Sequence, residues 1–178
     1  MERLHRLERL HLENPVYFIT FCTQERMTVL ANEQIHSACM GFFAEALKRE
    51  FFVGRYILMP DHIHLFVKLP PPAENLSDWV KSLKNYLSKE LRKKGVPSPH
   101  WQKGFFDHVL RSSESCSKKW LYVVANCVRA GLVKDWTDWP FQGEIHALRF
   151  DEGMRRSQTA ATAVTCRFAR CQQSPARP

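Results

Sequence analysis

The chain lacks the features that define several common classes of protein. Its 178 residues include six cysteines, but no two of them form a C-x-x-C pair, so the sequence favours neither a zinc ribbon nor a small disulfide scaffold. No apolar run approaches the ~20 residues of a membrane span, and the first residues are charged. We therefore expect a cytoplasmic protein with free thiols and no contact with a membrane.

The chain has fewer acidic than basic residues. The chain has 26 Lys and Arg against 18 Asp and Glu, which gives a formal net charge of +8. Such a charge favours a polyanion as partner, because basic side chains that neutralise phosphates release counterions; a merely soluble basic surface is the alternative. The content of 44% hydrophobic and 25% charged residues is typical of one globular domain.

Seven segments with regular hydrophobic patterns follow one another between residues 15 and 141. Their composition and spacing predict the order β-α-β-β-α-β-α. This order predicts an α+β fold, a ferredoxin-like split βαβ sandwich whose antiparallel sheet carries helices on one face, with an added C-terminal helix. The predicted segments are 15–23, 32–50, 52–58, 62–69, about 75–94, 105–110 and 112–130. Residues 1–14 are expected to be an N-terminal extension and residues 142–178 a basic, flexible tail.

Two histidines flank one isoleucine in the predicted strand 62–69. Because side chains alternate along a strand, His62 and His64 share a face, about 7 Å apart at Cα, while Ile63 points into the core. Two imidazoles at this separation can bind one divalent ion. The alternative is a half-buried pair that is satisfied by hydrogen bonds. The pattern predicts a metal site if further ligands lie nearby.

Three polar residues share one face of the predicted helix 112–130. Tyr122, Asn126 and Arg129 follow each other at i, i+4 and i+7, so they offer a nucleophile, a metal ligand and a phosphate contact. Alternatively, Tyr122 is a packing residue, and Tyr86 on the preceding helix is a competing nucleophile. The core-facing residues of this helix are predicted to be Leu121, Val124 and Val128.

Three ordered motifs resemble those of the REP-associated tyrosine transposases, which are single-tyrosine HUH transposases. They are Met59-Pro-Asp-His-Ile-His64, Trp101-Gln-Lys-Gly-Phe-Phe-Asp-His-Val-Leu-Arg111, and Tyr122-Val-Val-Ala-Asn126 with Val128-Arg-Ala-Gly-Leu-Val133. The resemblance covers roughly residues 15–141. Three motifs at matching spacing are far more specific than a pair of histidines alone.

The resemblance implies a metal-dependent endonuclease and transposase that cleaves and rejoins single-stranded DNA at palindromic hairpins. It implies Tyr122 as the nucleophile that forms a 5′-phosphotyrosine, His62 and His64 as metal ligands, and Asn126 as a further ligand. The expected cofactor is Mg²⁺ or Mn²⁺, although nitrogen ligands suit Mn²⁺ better than Mg²⁺. The expected partner is DNA folded into hairpins, bound by a monomer or a homodimer.

One position departs from the family pattern. The family usually has Asn-Pro where this chain has Asn126-Cys127. A proline there would end or kink the helix after the asparagine, whereas cysteine lets the helix continue to Gly131. The direction of Asn126 is therefore the part of the site that the resemblance determines least.

Basic side chains within and around these motifs are the expected phosphate contacts, each with a solvated surface charge as its alternative. They are Lys84, Lys103, His108, Arg111 and Arg129. Asp61 and Asp107 are candidate oxygen ligands, with ordinary turn and strand-end positions as the alternative.

Two other classes of protein share part of the pattern. A non-catalytic single-strand binder uses the same βαββαβ order and stacks bases on aromatic residues of an open sheet, but it leaves the histidines unexplained. The aromatic candidates for that role are Tyr17, Phe18, Phe21 and Phe66. A cupin-like enzyme also carries H-x-H on a strand, but it needs a glutamate four or five residues later, where this chain has Lys68 and Leu69.

Overall fold

The computed structural model describes residues 16–69 and 76–150. The strands are β1 (Val16–Cys22), β2 (Phe52–Leu58), β3 (His62–Lys68), β4 (Phe106–Leu110) and β5 (Gln142–Glu144), and the helices are α1 (Glu33–Ala46), α2 (Leu76–Lys93) and α3 (Ser113–Arg129). The first seven elements confirm the predicted order, with a short 3₁₀ turn, Leu47–Arg49, after α1. Within the described ranges, no helix combines the length and the apolar character needed to cross a membrane.

The five strands form one antiparallel sheet in the order β4-β1-β3-β2-β5. The first four strands and the two helices between them have the ferredoxin-like arrangement, so the predicted fold class is confirmed. Strands β2 and β3 form a hairpin through the Pro60-Asp61 turn, where the Met59 amide donates to the His62 carbonyl at 2.9 Å. Strand β3 therefore lies in the middle of the sheet, with the histidine pair at its beginning.

Local sequence signals fix the ends of the helices. The Asn32 side chain caps α1 by accepting from the Ile35 amide at 3.2 Å. Ser112 caps α3 in a capping box with Ser115. At the other end of α3, the amide of Gly131, with φ +68°, donates to Val128, and the next amide donates to Cys127, which is a Schellman motif. As predicted, α3 continues through Cys127.

Alternate residues of β3 enter two separate cores. Ile63, Leu65 and Val67 pack beneath α1 and α2. Phe66, on the opposite face, packs with Trp120 of α3, and the two ring centroids are 6.0 Å apart. Helix α3 is thus the added helix, and it covers the face on which the two histidines lie.

The core-facing residues predicted for α3 are wrong in two of three cases. Leu121 and Val128 are exposed by 61% and 38%, and only Val124 is buried. The buried residues of α3 are Trp120, Val123, Val124 and Cys127, which also follow a three-to-four spacing. Two neighbouring apolar stripes exist on this helix, and the large Trp120 ring, packed on Phe66, determines which one is buried.

The fifth strand was not predicted. Gln142–Glu144 were assigned to a flexible tail, but they pair with Arg55–Ile57 at the edge of β2. A three-residue edge strand is held mainly by backbone hydrogen bonds, so it needs no hydrophobic pattern. Gly143 lies directly on Tyr56, because a Cβ there would stand 2.8 Å from the tyrosine hydroxyl. The predicted extension, 1–14, and the tail beyond residue 150 lie outside the described residues.

Candidate active site

The two histidines of β3 point their outer ring nitrogens at each other. The Nε2 atoms of His62 and His64 are 3.1 Å apart, and their ring centroids are 4.7 Å apart. The ring of Phe18, from the neighbouring strand β1, stacks on His64 at 5.4 Å. The shared face predicted from strand alternation is therefore present, with both Nε2 atoms directed at one point.

Hydrogen bonds behind the rings orient both histidines. The Nδ1 atom of His62 is 2.6 Å from Asp61 Oδ1, and the other oxygen of Asp61 is 2.7 Å from Arg26 Nε. A carboxylate only accepts, so the Nδ1 of His62 carries the proton and its Nε2 keeps a lone pair. The Nδ1 of His64 is 2.6 Å from the Thr20 hydroxyl, which lies opposite it on β1. Such outer hydrogen bonds are typical of histidines that bind metal ions.

The turn that carries Arg26 has an unusual backbone. Glu25 and Arg26 both have a positive φ, 51° and 58°. Residues other than glycine rarely adopt this backbone conformation. Thr23 holds this turn, since its hydroxyl oxygen lies 2.8 Å from the Met27 carbonyl and 3.0 Å from the Asp61 carbonyl and can donate to either. The turn therefore keeps Arg26 against Asp61 behind the histidine pair.

Burial keeps both histidines neutral. It lowers the pKa of His62, although the Asp61 carboxylate opposes the effect. It lowers the pKa of His64 to about 3, and the positive charges of Arg26 and Lys119 act in the same direction. Neutral imidazoles at neutral pH are the form that binds a metal ion.

Helix α3 brings the polar face predicted from its sequence to the histidines. The Nδ2 atom of Asn126 is 3.1 Å from Nε2 of His64. Arg129 contacts Asn126 Oδ1, donates to the Tyr122 carbonyl at 3.1 Å and lies 4.8 Å from the Tyr122 ring centroid. Tyr122 is 62% exposed, so its ring is not a packing residue of the core.

Lys119 belongs to the same face of α3 and was missed by the sequence analysis. Its Nζ lies 5.2 Å from the Phe18 ring centroid and 5.8 Å from that of Tyr122. The signal was present, because Lys119 stands three residues before Tyr122 and seven before Asn126, and residues at these spacings share a helix face. Phe106 of β4 is part of the second motif, but the sequence analysis did not name it as a site residue. It is 57% exposed and lies opposite Thr20.

The other predicted phosphate contacts are distributed differently. Lys84 of α2 lies on the far face of the sheet; its amine donates to the Gln102 carbonyl at 3.1 Å, and burial lowers its pKa. Lys103 and Arg111 are exposed at the two ends of the segment that contains β4. His108 is exposed on β4, opposite Phe18. Of the five predicted contacts, the structure brings Arg129 to the tyrosine.

The two candidate acids do not act as a pair. Asp61 lies behind His62, where it binds the Nδ1 atom that faces away from the other histidine. Asp107 lies opposite Ile19 in the β1–β4 pairing and therefore on the face of α1 and α2. In the described ranges, no group of three or more His, Cys, Asp or Glu side chains is arranged to hold a metal ion. A three-residue site here needs the amide of Asn126.

The competing assignments fail on position. Tyr86 lies on α2, on the opposite face of the sheet from the histidines, where its ring packs 5.4 Å from that of Phe42. Of the four stacking residues named for an open-sheet binder, Phe18, Phe21 and Phe66 are buried and Tyr17 is partly buried. The sheet also lacks the barrel architecture of a cupin.

A ferredoxin-like sheet with paired histidines facing a tyrosine-bearing helix is the arrangement that the resemblance to single-tyrosine DNA transposases predicts. The family model described as "Transposase IS200 like" matches residues 12–123, more than half of the chain. The chain therefore belongs to the IS200-like transposase family.

Individual relatives agree with this assignment. A REP-associated tyrosine transposase of Escherichia coli K12 is 23% identical over 133 residues, covering 75% of this chain and 78% of the relative. A Haemophilus influenzae protein of the same description is 26% identical over 136 residues, covering 71% of this chain and 77% of the relative. The solved structure of a REP-associated tyrosine transposase bound to a REP hairpin superposes with a TM-score of 0.63 at 22% identity, covering 78% and 82% of the two chains.

Proposed function

We propose that this transposase cleaves and rejoins single-stranded DNA at palindromic hairpin repeats, with Tyr122 as the nucleophile. The observation that carries the proposal is the position of Asn126, whose amide nitrogen lies 3.1 Å from Nε2 of His64, one helical turn after Tyr122. A histidine pair, an amide and an exposed tyrosine thus occupy one side of the sheet. The similar fold of a transposase bound to a REP hairpin supports a hairpin as the substrate.

His62, His64 and Asn126 would hold the divalent metal of this reaction. Two Nε2 atoms that face each other at 3.1 Å repel through their lone pairs unless a cation or a proton lies between them. Asn126 would supply Oδ1 after a half-turn of its amide, which exchanges the positions of oxygen and nitrogen. Arg129 would then move away from the amide, because a guanidinium and an amide nitrogen are both donors. The donor set of two nitrogens and one oxygen suits Mn²⁺, and Mg²⁺ less well. A divalent metal bound there would polarise the scissile phosphate and stabilise its developing charge.

The tyrosine would act on the phosphorus directly. A bond forms between Tyr122 Oη and phosphorus while the bond from phosphorus to the 3′ oxygen breaks. The phenol gives up its proton, and the departing 3′ oxygen takes one up to become a free hydroxyl. The product is a 5′-phosphotyrosine, which a 3′ hydroxyl can attack to rejoin the strand without a nucleotide cofactor.

Cations beside the tyrosine favour this step. The Arg129 guanidinium lies 4.8 Å and the Lys119 amine 5.8 Å from the centroid of the Tyr122 ring. Both positive charges stabilise the negative charge of an incoming phosphate. In the orientation that the structure shows, Arg129 also contacts Asn126 Oδ1, so the same guanidinium touches both side chains.

The test is the formation of a covalent complex. The protein is incubated with single-stranded hairpin DNA and Mn²⁺ or Mg²⁺, and protein–DNA adducts are separated on a denaturing gel. We expect an adduct with the native protein and with Tyr86→Phe, and none with Tyr122→Phe, which lacks only the attacking hydroxyl. An adduct that survives Tyr122→Phe would refute the assignment. No adduct with the native protein on several hairpins would favour the non-catalytic binder.

A further inference from the structure

An exposed aromatic ring lies beside the active site on the edge strand. Phe106 is 57% exposed, although it sits on the same face of the sheet as the histidine pair. It lies opposite Thr20, whose hydroxyl contacts His64. Its ring centroid is 6.4 Å from that of Phe18, which stacks on His64. The Phe106 ring therefore lies on the surface of the sheet between its edge strand β4 and helix α3.

Two side chains that could contact phosphates lie on the same side of the sheet as this ring. The Lys119 amine, on α3, lies 5.2 Å from the Phe18 ring centroid. Among the residues that the structure describes, Lys119 makes no salt bridge with a carboxylate. His108 is exposed two residues after Phe106 and on the same face of β4. The exposed Phe106 ring thus lies on the histidine face of the sheet, and Phe18 and Lys119 stand between it and Tyr122.

The chemistry of this surface suits an unpaired nucleotide. Single-stranded nucleic acid binds to proteins by stacking its bases on aromatic rings while basic side chains contact its phosphates. A paired base in a duplex cannot present its face in this way, since it is already stacked on its neighbours. An apolar protein segment would gain little beside the charge of Lys119.

We propose that Phe106 is the stacking platform for an unpaired base next to the phosphate that Tyr122 attacks, with Lys119 contacting the neighbouring backbone phosphate. The inference rests on the proposed cleavage of single-stranded DNA, and it identifies where the strand lies relative to α3. Phe106 positions the substrate and takes no part in the bond changes.

Fluorescence of 2-aminopurine tests the platform. The base analogue is placed singly at successive positions on both sides of the cleavage site in a hairpin with a single-stranded flank, and the DNA is titrated into Tyr122→Phe protein, which cannot react. We expect one flank position to be quenched on binding. Adding Phe106→Ala should remove that quench and weaken binding by about 5-fold to about 150-fold, the range of one base–aromatic stack. Phe106→Tyr should restore both.

Two comparisons separate stacking from charge and from folding. Phe52, which is 36% exposed at the far end of the sheet, provides the matched control, and Phe52→Ala should leave affinity and quench unchanged. Lys119→Gln should reduce the slope of affinity against salt concentration by about 0.7, the contribution of one phosphate on a single strand, whereas Phe106→Ala should not change the slope. Urea unfolding of each variant checks the fold.

The outcomes distinguish this inference from the proposed function. If the native protein forms the tyrosine adduct but Phe106→Ala binds and quenches like its parent, the platform is wrong and the cleavage proposal stands. Equal weakening of single-stranded and fully duplex DNA by Phe106→Ala would also overturn the platform. If native protein neither binds hairpin DNA nor forms an adduct, the proposed function itself fails.

Discussion

The two faces of the sheet are made from alternate residues of the same strands, yet they differ in composition and in cover. On the first face, Ile63 and Leu65 of β3 are fully buried beneath α1 and α2 in a continuous apolar core. On the second face, their neighbours His62 and His64 lie beside a single helix, α3, with hydrogen bonds to polar partners. Among residues 16–69 and 76–150, two helices lie over the first face and one lies over the second.

This difference indicates a division between stability and function. The first face buries the larger apolar surface and so supplies most of the hydrophobic stabilisation. On the second face, α3 is anchored by Trp120 and Val123, and it leaves Tyr122 exposed. A single covering helix leaves room for a DNA strand beside it, and the polar groups under it can be changed at a smaller cost in folding free energy.

The largest effects are expected when the neighbouring residues His64 and Leu65, which lie on opposite faces of the sheet, are changed one at a time. One change should lower activity and the other should lower stability. We expect His64→Gln to lower adduct formation at least about 100-fold, since loss of an outer partner of a metal ligand already costs 10- to 100-fold. Leu65→Ala should lower the free energy of unfolding by about 2–5 kcal/mol, because it leaves a cavity in the core. Gel assays of the adduct and urea unfolding measure both effects for each variant.

This comparison requires that Leu65→Ala keep its ability to form the adduct and that His64→Gln keep most of its stability. Leu65→Ala should still form the adduct at a temperature where it is folded, and His64→Gln should unfold closer to the native protein than Leu65→Ala does. A His64→Gln protein that forms the adduct at the native rate would remove His64 from the mechanism.

A proline at position 127 should have an intermediate effect. Cys127 is buried within α3, and its thiol donates to the Val124 carbonyl at 2.9 Å. Proline would remove a backbone donor inside the helix and clash with the preceding turn, at a cost of about 3 kcal/mol or more. We expect Cys127→Pro to lower the free energy of unfolding by that amount in urea titrations and to reduce adduct formation by displacing Asn126.

The control for this change is Cys127→Ala, which removes the same thiol and keeps the backbone amide. If Cys127→Pro is as stable as Cys127→Ala, the last turn of α3 contributes little to the second face, and Asn126 is held by its own contacts with Arg129.

The smallest expected effect concerns a histidine on the first face. The Nε2 of His36 is 2.9 Å from the Tyr56 hydroxyl, and burial lowers the pKa of His36 despite the opposing charge of Glu33. As the pH falls below about 6.5, the unfolded chain takes up this proton before the folded protein does, so stability is lost with falling pH. The loss attributable to His36 should not exceed about 1.4 kcal/mol per pH unit.

Urea unfolding of the native protein and of His36→Gln between pH 7 and pH 5 measures this effect, with ~1.4 kcal/mol per unit as the upper bound for one proton. The two stability curves should converge as the pH falls, because only the native protein carries the titrating group. Curves that stay parallel would show that His36 takes up its proton equally in both states.

Much of this fold could be predicted from the sequence, because the signals are local. The capping residues Asn32 and Ser112 indicate where α1 and α3 begin. The dipeptide Pro60-Asp61 by itself predicts the hairpin turn. The short strand Gln142–Glu144 could not be predicted in this way, since its backbone pairs with a distant strand. Leu121 and Val123 are both apolar, so the sequence alone did not decide which of them α3 buries.

In the candidate site, too, the local features could be predicted from the sequence and the long-range contacts could not. By itself the sequence determined that His62 and His64 share a face and that Tyr122 and Asn126 lie one helical turn apart, because strand and helix periods are properties of the local backbone. Only the tertiary structure decided that Asn126 reaches His64 across 62 residues of chain, or that Thr20 supports that histidine. Those contacts depend on strand register and on how α3 rotates as it packs, and both are set by the whole core.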